Sequence, residues 1–233
     1  MKNDKYLDKF IGKQITEAND TERANHKSSG KLSASILGQP LQWQILKVLG
    51  FPQREIDEYT LRKFVRGKDI ETWILSRIPN VVSKGDFVEY RNCVGYVDAM
   101  VDTKDWDFAD GVIPAEVKSV SNLKFKKILK QGADRSHKLQ AGFYAISKDS
   151  PHFAVIYVAT DDLRVETYVY ETKDIKDEIN GIITRFEEQK LKGVPIFEAV
   201  EDWQKSKLYN NFPDWSELTQ EEINKKVVEL NKK

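Results

Sequence analysis

Three segments decide the fold: Gly95-Tyr-Val-Asp98, Glu116-Val-Lys118 and His137-Lys-Leu-Gln140-Ala-Gly-Phe-Tyr144. β-Branched and apolar residues surround the first two segments, which predicts two strands, and the third segment has helical spacing. Side chains two apart on a strand share a face, so Glu116 and Lys118 should point the same way. A strand pair joined by the loop at 103–110 would place Asp98 beside Glu116. The sequence thus predicts two carboxylates and an amine on neighbouring strands, with a polar helix face against them.

Composition limits the classes of protein to consider. The chain has 233 residues, and its 37 Lys and Arg balance its 37 Asp and Glu, so any attraction for a polyanion must come from a local patch. The single cysteine, Cys93, excludes a disulfide framework and a cysteine-only metal cluster. The start, Met1-Lys-Asn-Asp-Lys-Tyr, lacks the apolar core of a signal peptide, and no apolar run reaches membrane-spanning length. We expect a cytoplasmic protein with no membrane partner.

The pattern predicts an α/β fold with a mixed central β-sheet flanked by helices. We divide the chain into an N-terminal leader helix and mobile loop (1–34), one core domain (35–216) and a charged C-terminal helix (217–233). Thr60 should cap the second core helix, and Gly85 should separate two short strands. We leave the basic stretch 121–136 without an assigned element. Helices are predicted at 40–48, 60–77, 136–147 and 174–192, and strands at 81–82, 87–90, 94–101, 112–120, 153–159 (buried on both faces) and 164–170 (at an edge).

The acidic pair and the lysine suit phosphodiester hydrolysis. Asp98 lies in an otherwise apolar strand, where an ionised carboxylate needs a partner, and Mg²⁺ or Mn²⁺ is one candidate. A bound cation neutralises developing charge, and Lys118 could position the attacking water. The alternative is a surface salt bridge, since acid-x-base triplets also occur at Asp102-Thr-Lys104 and Glu171-Thr-Lys173. The apolar strand around Glu116 and the neighbouring strand with Asp98 favour a catalytic role.

The helix that follows carries His137, Gln140 and Tyr144 on one face. A glutamine amide and a tyrosine hydroxyl can both bond a phosphate or a bound water, so we predict substrate contacts for all three. The alternative is an amphipathic helix whose histidine and tyrosine only cover the core. For His137 the two interpretations have equal weight.

A basic stretch adjoins this helix. Lys118 to Lys138 contains seven Lys and Arg against one acid, Asp134. Such a patch beside the site would follow phosphates and make binding salt-dependent. Phe125 could stack on a base, or equally anchor the segment. The cations that we predict to bind substrate are Lys124, Lys126, Lys127, Arg135 and Lys138.

Asp98, Glu116-x-Lys118 and Gln140-x-x-x-Tyr144 together resemble the motifs of the PD-(D/E)XK nuclease superfamily, in its RecB-type and lambda-exonuclease-type branch. The resemblance covers roughly 33–215 and implies a restriction-endonuclease-like core. That branch has an upstream Arg-Gly-x-x-x-His or Gly-x-x-x-Glu helix, and this chain offers Arg66-Gly67-Lys-Asp-Ile-Glu71. By this resemblance Glu71 is a third acidic metal ligand. We expect Asp98, Glu116, Glu71 and the Val117 carbonyl to hold Mg²⁺ or Mn²⁺.

Many relatives in that branch, including CRISPR-adaptation exonucleases, hold an iron–sulfur cluster with four cysteines. This chain departs from them, because Cys93 alone cannot replace four thiolates. We therefore predict no iron–sulfur cluster. Apolar residues should pack where the cluster would lie, namely Trp203, Leu208, Tyr209, Phe212 and Trp215.

These observations predict a metal-dependent deoxyribonuclease whose partner is DNA. The resemblance favours an exonuclease acting in DNA repair, recombination, or phage or mobile-element DNA processing. A homo-oligomer or a recombination partner protein stays open. One alternative is a structure-specific endonuclease or junction resolvase on the same core. Another is a non-catalytic DNA-binding module with a nuclease fold.

Overall fold

The structure is a computed structural model that describes residues 5–25, 30–51, 53–107, 111–192 and 212, together with 221–222, 225 and 228–229. Four predicted packing residues, Trp203, Leu208, Tyr209 and Trp215, lie outside the described residues, as do most of the predicted C-terminal helix and the centre of the predicted mobile loop. In the described part of the chain, no helix combines the length and the apolar character needed to cross a membrane.

Three helices precede strand β2 along the chain. Helix α1 spans Lys5–Asn25 and so extends into the segment predicted as a loop. Helix α2, Leu41–Val48, matches the predicted helix at 40–48 except that Pro40 is the N-cap residue and does not belong to the first turn. Helix α3 spans Glu58–Leu75, and the prediction that Thr60 caps it was wrong. The Asp57 side chain is the cap, since it accepts a hydrogen bond from the backbone N–H of Thr60 at 2.7 Å and so satisfies a first-turn donor.

A six-stranded mixed sheet forms the centre, as predicted. Its order is β1-β3-β4-β5-β6, and β2 pairs with β3 outside this path. Strands β1/β3 and β4/β5 are parallel, whereas β2/β3, β3/β4 and β5/β6 are antiparallel. The strands span Leu32–Ser33 (β1), Val81–Tyr90 (β2), Cys93–Asp102 (β3), Val112–Val120 (β4), His152–Ala159 (β5) and Val165–Glu171 (β6).

Strand β2 corrects the prediction of two short strands. It continues through Gly85, which adopts a φ of 68°, and the register shifts once between Val81 and Ser83. Glycine reaches positive φ without steric cost, so the residue that we took as a breaker lies inside one strand. The prediction of a buried β5 and an edge strand at β6 is confirmed.

The pairing of β3 changes at the middle of the strand. On one edge β2 pairs with it over nearly its full length. On the other edge, β1 pairs with Cys93 and Val94, and β4 pairs with Ala99 to Asp102. Within the described sheet, the stretch between these ladders, which ends at Asp98, has no paired strand on that edge. Strands β3 and β4 therefore separate at Asp98, which carries the first carboxylate.

Helices cover both faces of the sheet. Helix α5 (Arg135–Ser147) packs between the sheet and α6 (Lys173–Lys192), while α3 packs on the opposite face through Ile70, Ile74 and Leu75. The basic stretch left unassigned in the sequence is helix α4, Asn122–Gln131. Ser121 caps its start, because its side chain accepts from the Lys124 N–H at 3.4 Å, and Gly132 ends it with a φ of 78°.

Phe212 is the one predicted C-terminal packing residue that the structure describes. Its ring is fully buried and lies edge-to-face against Trp43 at 5.6 Å and against Phe51 at 6.2 Å. Aromatic burial of this kind stabilises through both area and ring geometry. The packing predicted for Phe212 is therefore confirmed, and its contact with Trp43 joins this residue to α2.

Candidate active site

Asp98, Glu116 and Lys118 meet where β3 and β4 separate. The Asp98 carboxylate accepts a hydrogen bond from the Val117 backbone N–H at 2.8 Å. The Lys118 ammonium forms an ion pair with Glu116 Oε1. Glu116 is only 1% exposed, and its second oxygen, Oε2, has no hydrogen-bond partner among the described residues. A buried carboxylate oxygen without a partner is costly, and a bound cation would supply one.

Burial and like charge dominate the electrostatics. Burial raises the pKa of Glu116 to about 8, and the nearby Asp98 and Glu71 add to that rise although Lys118 opposes it. Burial also raises the pKa of Asp98. Burial alone would lower the pKa of Lys118, but the attraction of Glu116, Asp98 and Glu71 raises it overall. The site therefore has more buried negative charge than its single lysine can neutralise.

Glu71 faces this pair from α3. Burial and the charge of Asp98 raise its pKa. Gly67 lies one helical turn before it, and a Cβ there would come within 3.2 Å of Ser119 Oγ on β4. Glycine thus allows α3 to approach β4 closely enough for Glu71 to act electrostatically on the pair.

The donor set suits a hard divalent cation. Among the residues that the structure describes, no group of three or more His, Cys, Asp and Glu side chains has an arrangement that could hold a metal ion. Mg²⁺ does not require such a group, because it is bound by one or two carboxylates together with waters and substrate phosphates. Asp98 and Glu116 meet that requirement, and the unpartnered Glu116 Oε2 fits it. Glu71 and the Val117 carbonyl as further ligands remain predictions.

Tyr144 and Gln140 lie behind the acidic pair, on the α5 side of the sheet. A Cβ on Gly95 would come within 2.6 Å of the Tyr144 ring, so the glycine allows the ring to lie directly against β3. Tyr144 is 2% exposed, and its hydroxyl accepts a hydrogen bond from Gln140 Nε2 at 2.8 Å. Burial, and then the charge of Glu116, raise the pKa of the Tyr144 hydroxyl. Both side chains therefore lie behind the acidic pair and do not reach the surface.

His137 is bound into a network at the start of α5. Its Nδ1 lies 2.8 Å from the Tyr157 hydroxyl, which also accepts the Asp134 backbone N–H at 3.0 Å. Burial and the positive charges of Lys118 and Lys124 lower the pKa of His137 to about 4. The imidazole is therefore neutral near pH 7.

The basic surface is partly neutralised within the chain. Lys124 pairs with Asp134 at 2.6 Å, Arg135 pairs with Glu178, and Lys138 lies 5.4 Å from the centre of the Tyr170 ring. Phe125 is 2% exposed, so of the two roles considered for it the structure favours anchoring α4. Within the described part of the chain, three exposed cations of α4 have no ion-pair partner: Lys126, Lys127 and Lys130.

A cleft of about 360 Å³ opens beside Asp98. Sequence reasoning missed most of the lining of this cleft, including Lys84 and Tyr96. The signal for Tyr96 was present, since it lies two residues before Asp98 and therefore on the same strand face. The lining comes from α3, β2 and β3: Glu71, Thr72, Leu75, Lys84, Gly85, Tyr96, Val97 and Asp98.

A solved structure shares this architecture. An alkaline exonuclease from Laribacter hongkongensis matches with a TM-score of 0.54 at 13% identity, over 70% of this chain and 88% of that one. A phage-related exonuclease from Haemophilus somnus 129PT has a TM-score of 0.45 at 12% identity, over 70% and 95% respectively, which is too low to add to the fold assignment. No protein-family model matches the sequence, and a search of curated proteins finds no match.

The fold places this chain in the class of α/β proteins with a mixed sheet flanked by helices. The Laribacter alkaline exonuclease shares this fold. In this chain the buried carboxylate of Glu116, the half-buried carboxylate of Asp98 and Lys118 lie where β3 and β4 separate.

Proposed function

We propose that this chain is a metal-dependent DNA nuclease that digests DNA from its ends. The observation that carries the proposal is the buried carboxylate of Glu116, which has an unpartnered oxygen beside Asp98 and a paired Lys118. Buried polar atoms are rarely left without a partner, so this oxygen favours a bound ligand over a salt bridge formed for stability alone. The fold shared with a protein described as an alkaline exonuclease gives independent support.

Asp98 and Glu116 would hold Mg²⁺ or Mn²⁺, assisted by Glu71 and the Val117 carbonyl. When bound, the cation supplies charge neutralisation at the phosphate and lowers the pKa of bound water. The Val117 N–H fixes the Asp98 carboxylate, so that its orientation does not depend on the substrate.

Lys118 would act on the attacking water. Its side chain is 27% exposed and is held by Glu116, so its ammonium lies at the boundary between the buried pair and solvent. A fixed ammonium there can orient a water and stabilise the charge that develops on the phosphate oxygens. The water oxygen gives up a proton and bonds to phosphorus, the bond to the leaving oxygen breaks, and that oxygen takes up a proton.

Gln140 and Tyr144 support the pair from behind. Their mutual hydrogen bond and their burial favour a positioning role for Glu116 over direct contact with DNA. The exposed lysines of α4 (Lys126, Lys127 and Lys130) are the cations available to the DNA backbone. Their contribution should weaken steeply as salt increases.

Incubation with end-labelled DNA tests the proposal. We would supply 5′-labelled and 3′-labelled linear DNA and a closed circle, each with Mg²⁺ or EDTA. Release of mononucleotides from linear DNA only, and only with Mg²⁺, is the expected result. Cutting of the circle would indicate a structure-specific endonuclease, and retention without cutting would indicate a binding module.

Two variants make the assay specific. Lys118→Ala should lose cleavage and keep the fold. Lys173→Ala is the matched control, because Glu171-Thr-Lys173 is also an acid-x-base triplet at a strand end and its lysine is 77% exposed. Equal loss in both variants would remove Lys118 from the mechanism.

A further inference from the structure

Phe87 and Tyr96 form an exposed aromatic pair next to the cleft. The two residues are register partners on β2 and β3. Their rings meet edge-to-face with centroids 5.4 Å apart. Phe87 is 54% exposed and Tyr96 is 64% exposed, so most of both rings faces solvent. Large aromatic rings are normally used to bury area, and an exposed contacting pair beside a polar cleft indicates a ligand surface.

The pair is close to the acidic site. Tyr96 lines the same cleft as Asp98 and Glu71. Tyr96 lies two positions before Asp98, which is about 7 Å along β3. Stacked nucleotides rise about 3.4 Å each along one strand, so the ring lies about two nucleotide steps from a phosphate held at Asp98.

Lys84 adds a positive charge to this aromatic surface. Lys84 lines the cleft next to Gly85 and has no ion-pair partner among the described residues. An unpaired ammonium beside exposed rings matches the chemistry of a nucleotide, whose phosphate is anionic and whose base has an apolar face.

We propose that Phe87 and Tyr96 form a base-stacking platform for single-stranded DNA that leads to the acidic pair, with Lys84 contacting its backbone. This inference rests on the proposed nuclease function and adds a substrate preference to it. The platform binds bases without reading sequence, because every base has a stacking face. It favours a strand with unpaired bases over one buried in duplex.

Binding measurements on the full chain test the platform. The probes are a fluorescein-labelled single-stranded oligothymidylate and the same backbone with abasic nucleotides, both in Ca²⁺ in place of Mg²⁺. The Phe87→Ala/Tyr96→Ala double variant should bind the oligothymidylate about tenfold or more weakly than the unmodified protein. Its affinity for the abasic probe should be unchanged. Tyr96→Trp, which keeps a stacking ring, should bind like the unmodified protein.

Tyr59→Ala is the matched control. Tyr59 is 68% exposed and has Lys63 Nζ at 4.1 Å from its ring centre, but it lies on α3 about 18 Å along the helix from Glu71. Thermal unfolding of each variant checks the fold.

Four results would overturn the platform. They are unchanged oligothymidylate binding by the double variant, equal weakening on the abasic probe, equal weakening by Tyr59→Ala, and a dimer of the unmodified protein that the double variant converts to monomer. If DNA is cleaved while any of these holds, only the platform fails. If the unmodified protein neither binds nor cleaves DNA, the proposed function fails with it.

Discussion

Glu116→Gln should change how the stability of the cation-free protein depends on pH. The pKa of Glu116 is about 8, well above its ordinary value of 4.5, mainly because of burial. The folded state therefore keeps a proton that the unfolded chain releases. The stability from this group is fully present below about pH 4.5 and is lost as pH rises through about 8. Glutamine at this position does not titrate, so the variant should lack this loss.

The magnitude follows from the same difference. Ionising Glu116 in the folded protein costs about 5 kcal/mol relative to the unfolded chain. Between about pH 6 and about pH 9 the wild-type protein should therefore lose about 2–3 kcal/mol more stability than Glu116→Gln.

Urea unfolding in EDTA at several pH values measures this difference. Glu89→Gln removes an exposed carboxyl that pairs with Lys31, and it should follow the wild-type curve. Parallel curves for wild type and Glu116→Gln would refute the reasoning, because Glu116 would then titrate alike in the folded and unfolded states.

Three further predictions concern single side chains. Lys118→Ala should reduce kcat for DNA cleavage by about 10²-fold or more, since a fixed charge at the reacting phosphate is lost; cleavage at the rate of Lys173→Ala would contradict this. Tyr144→Phe leaves the buried Gln140 amide without its acceptor and should cost about 1–3 kcal/mol in urea unfolding, whereas an unchanged midpoint would mean that the amide finds another partner. Phe212→Ala should cost about 3–5 kcal/mol in the same measurement, and a negligible loss would show that its contacts with Trp43 and Phe51 do not stabilise the fold.

Much of the sheet could be predicted from local sequence. The β-branched run at 112–120 and the continuous apolar run at 153–159 each have one plausible element, so β4 and β5 appear where expected. Because Glu116 and Lys118 are two apart, their common face followed from strand geometry alone. Strand β2 was harder to predict, since Gly85 can either break a strand or continue it at positive φ.

Other features depend on tertiary contacts that no local pattern states. The spacing of Gln140 and Tyr144 gave their shared face but not their burial, which depends on Gly95 admitting the Tyr144 ring against β3. Because the segment that forms α4 is rich in lysine, its amphipathic pattern was missed. Phe125 and Ile128 form the core side of this helix. The number of lysines and arginines likewise did not show which of them form ion pairs, because the partner of Arg135 lies on α6.

The central claim is that Asp98 and Glu116 share a divalent cation. Titration of the full chain with Mn²⁺, followed by electron paramagnetic resonance of the free ion, measures this without any DNA. We expect saturable Mn²⁺ binding by the wild-type protein and by Glu89→Gln, weaker binding at lower pH because Glu116 must lose its proton, and loss of binding in Asp98→Asn and Glu116→Gln. Equal binding by all four proteins, or none by the wild type, would contradict the account.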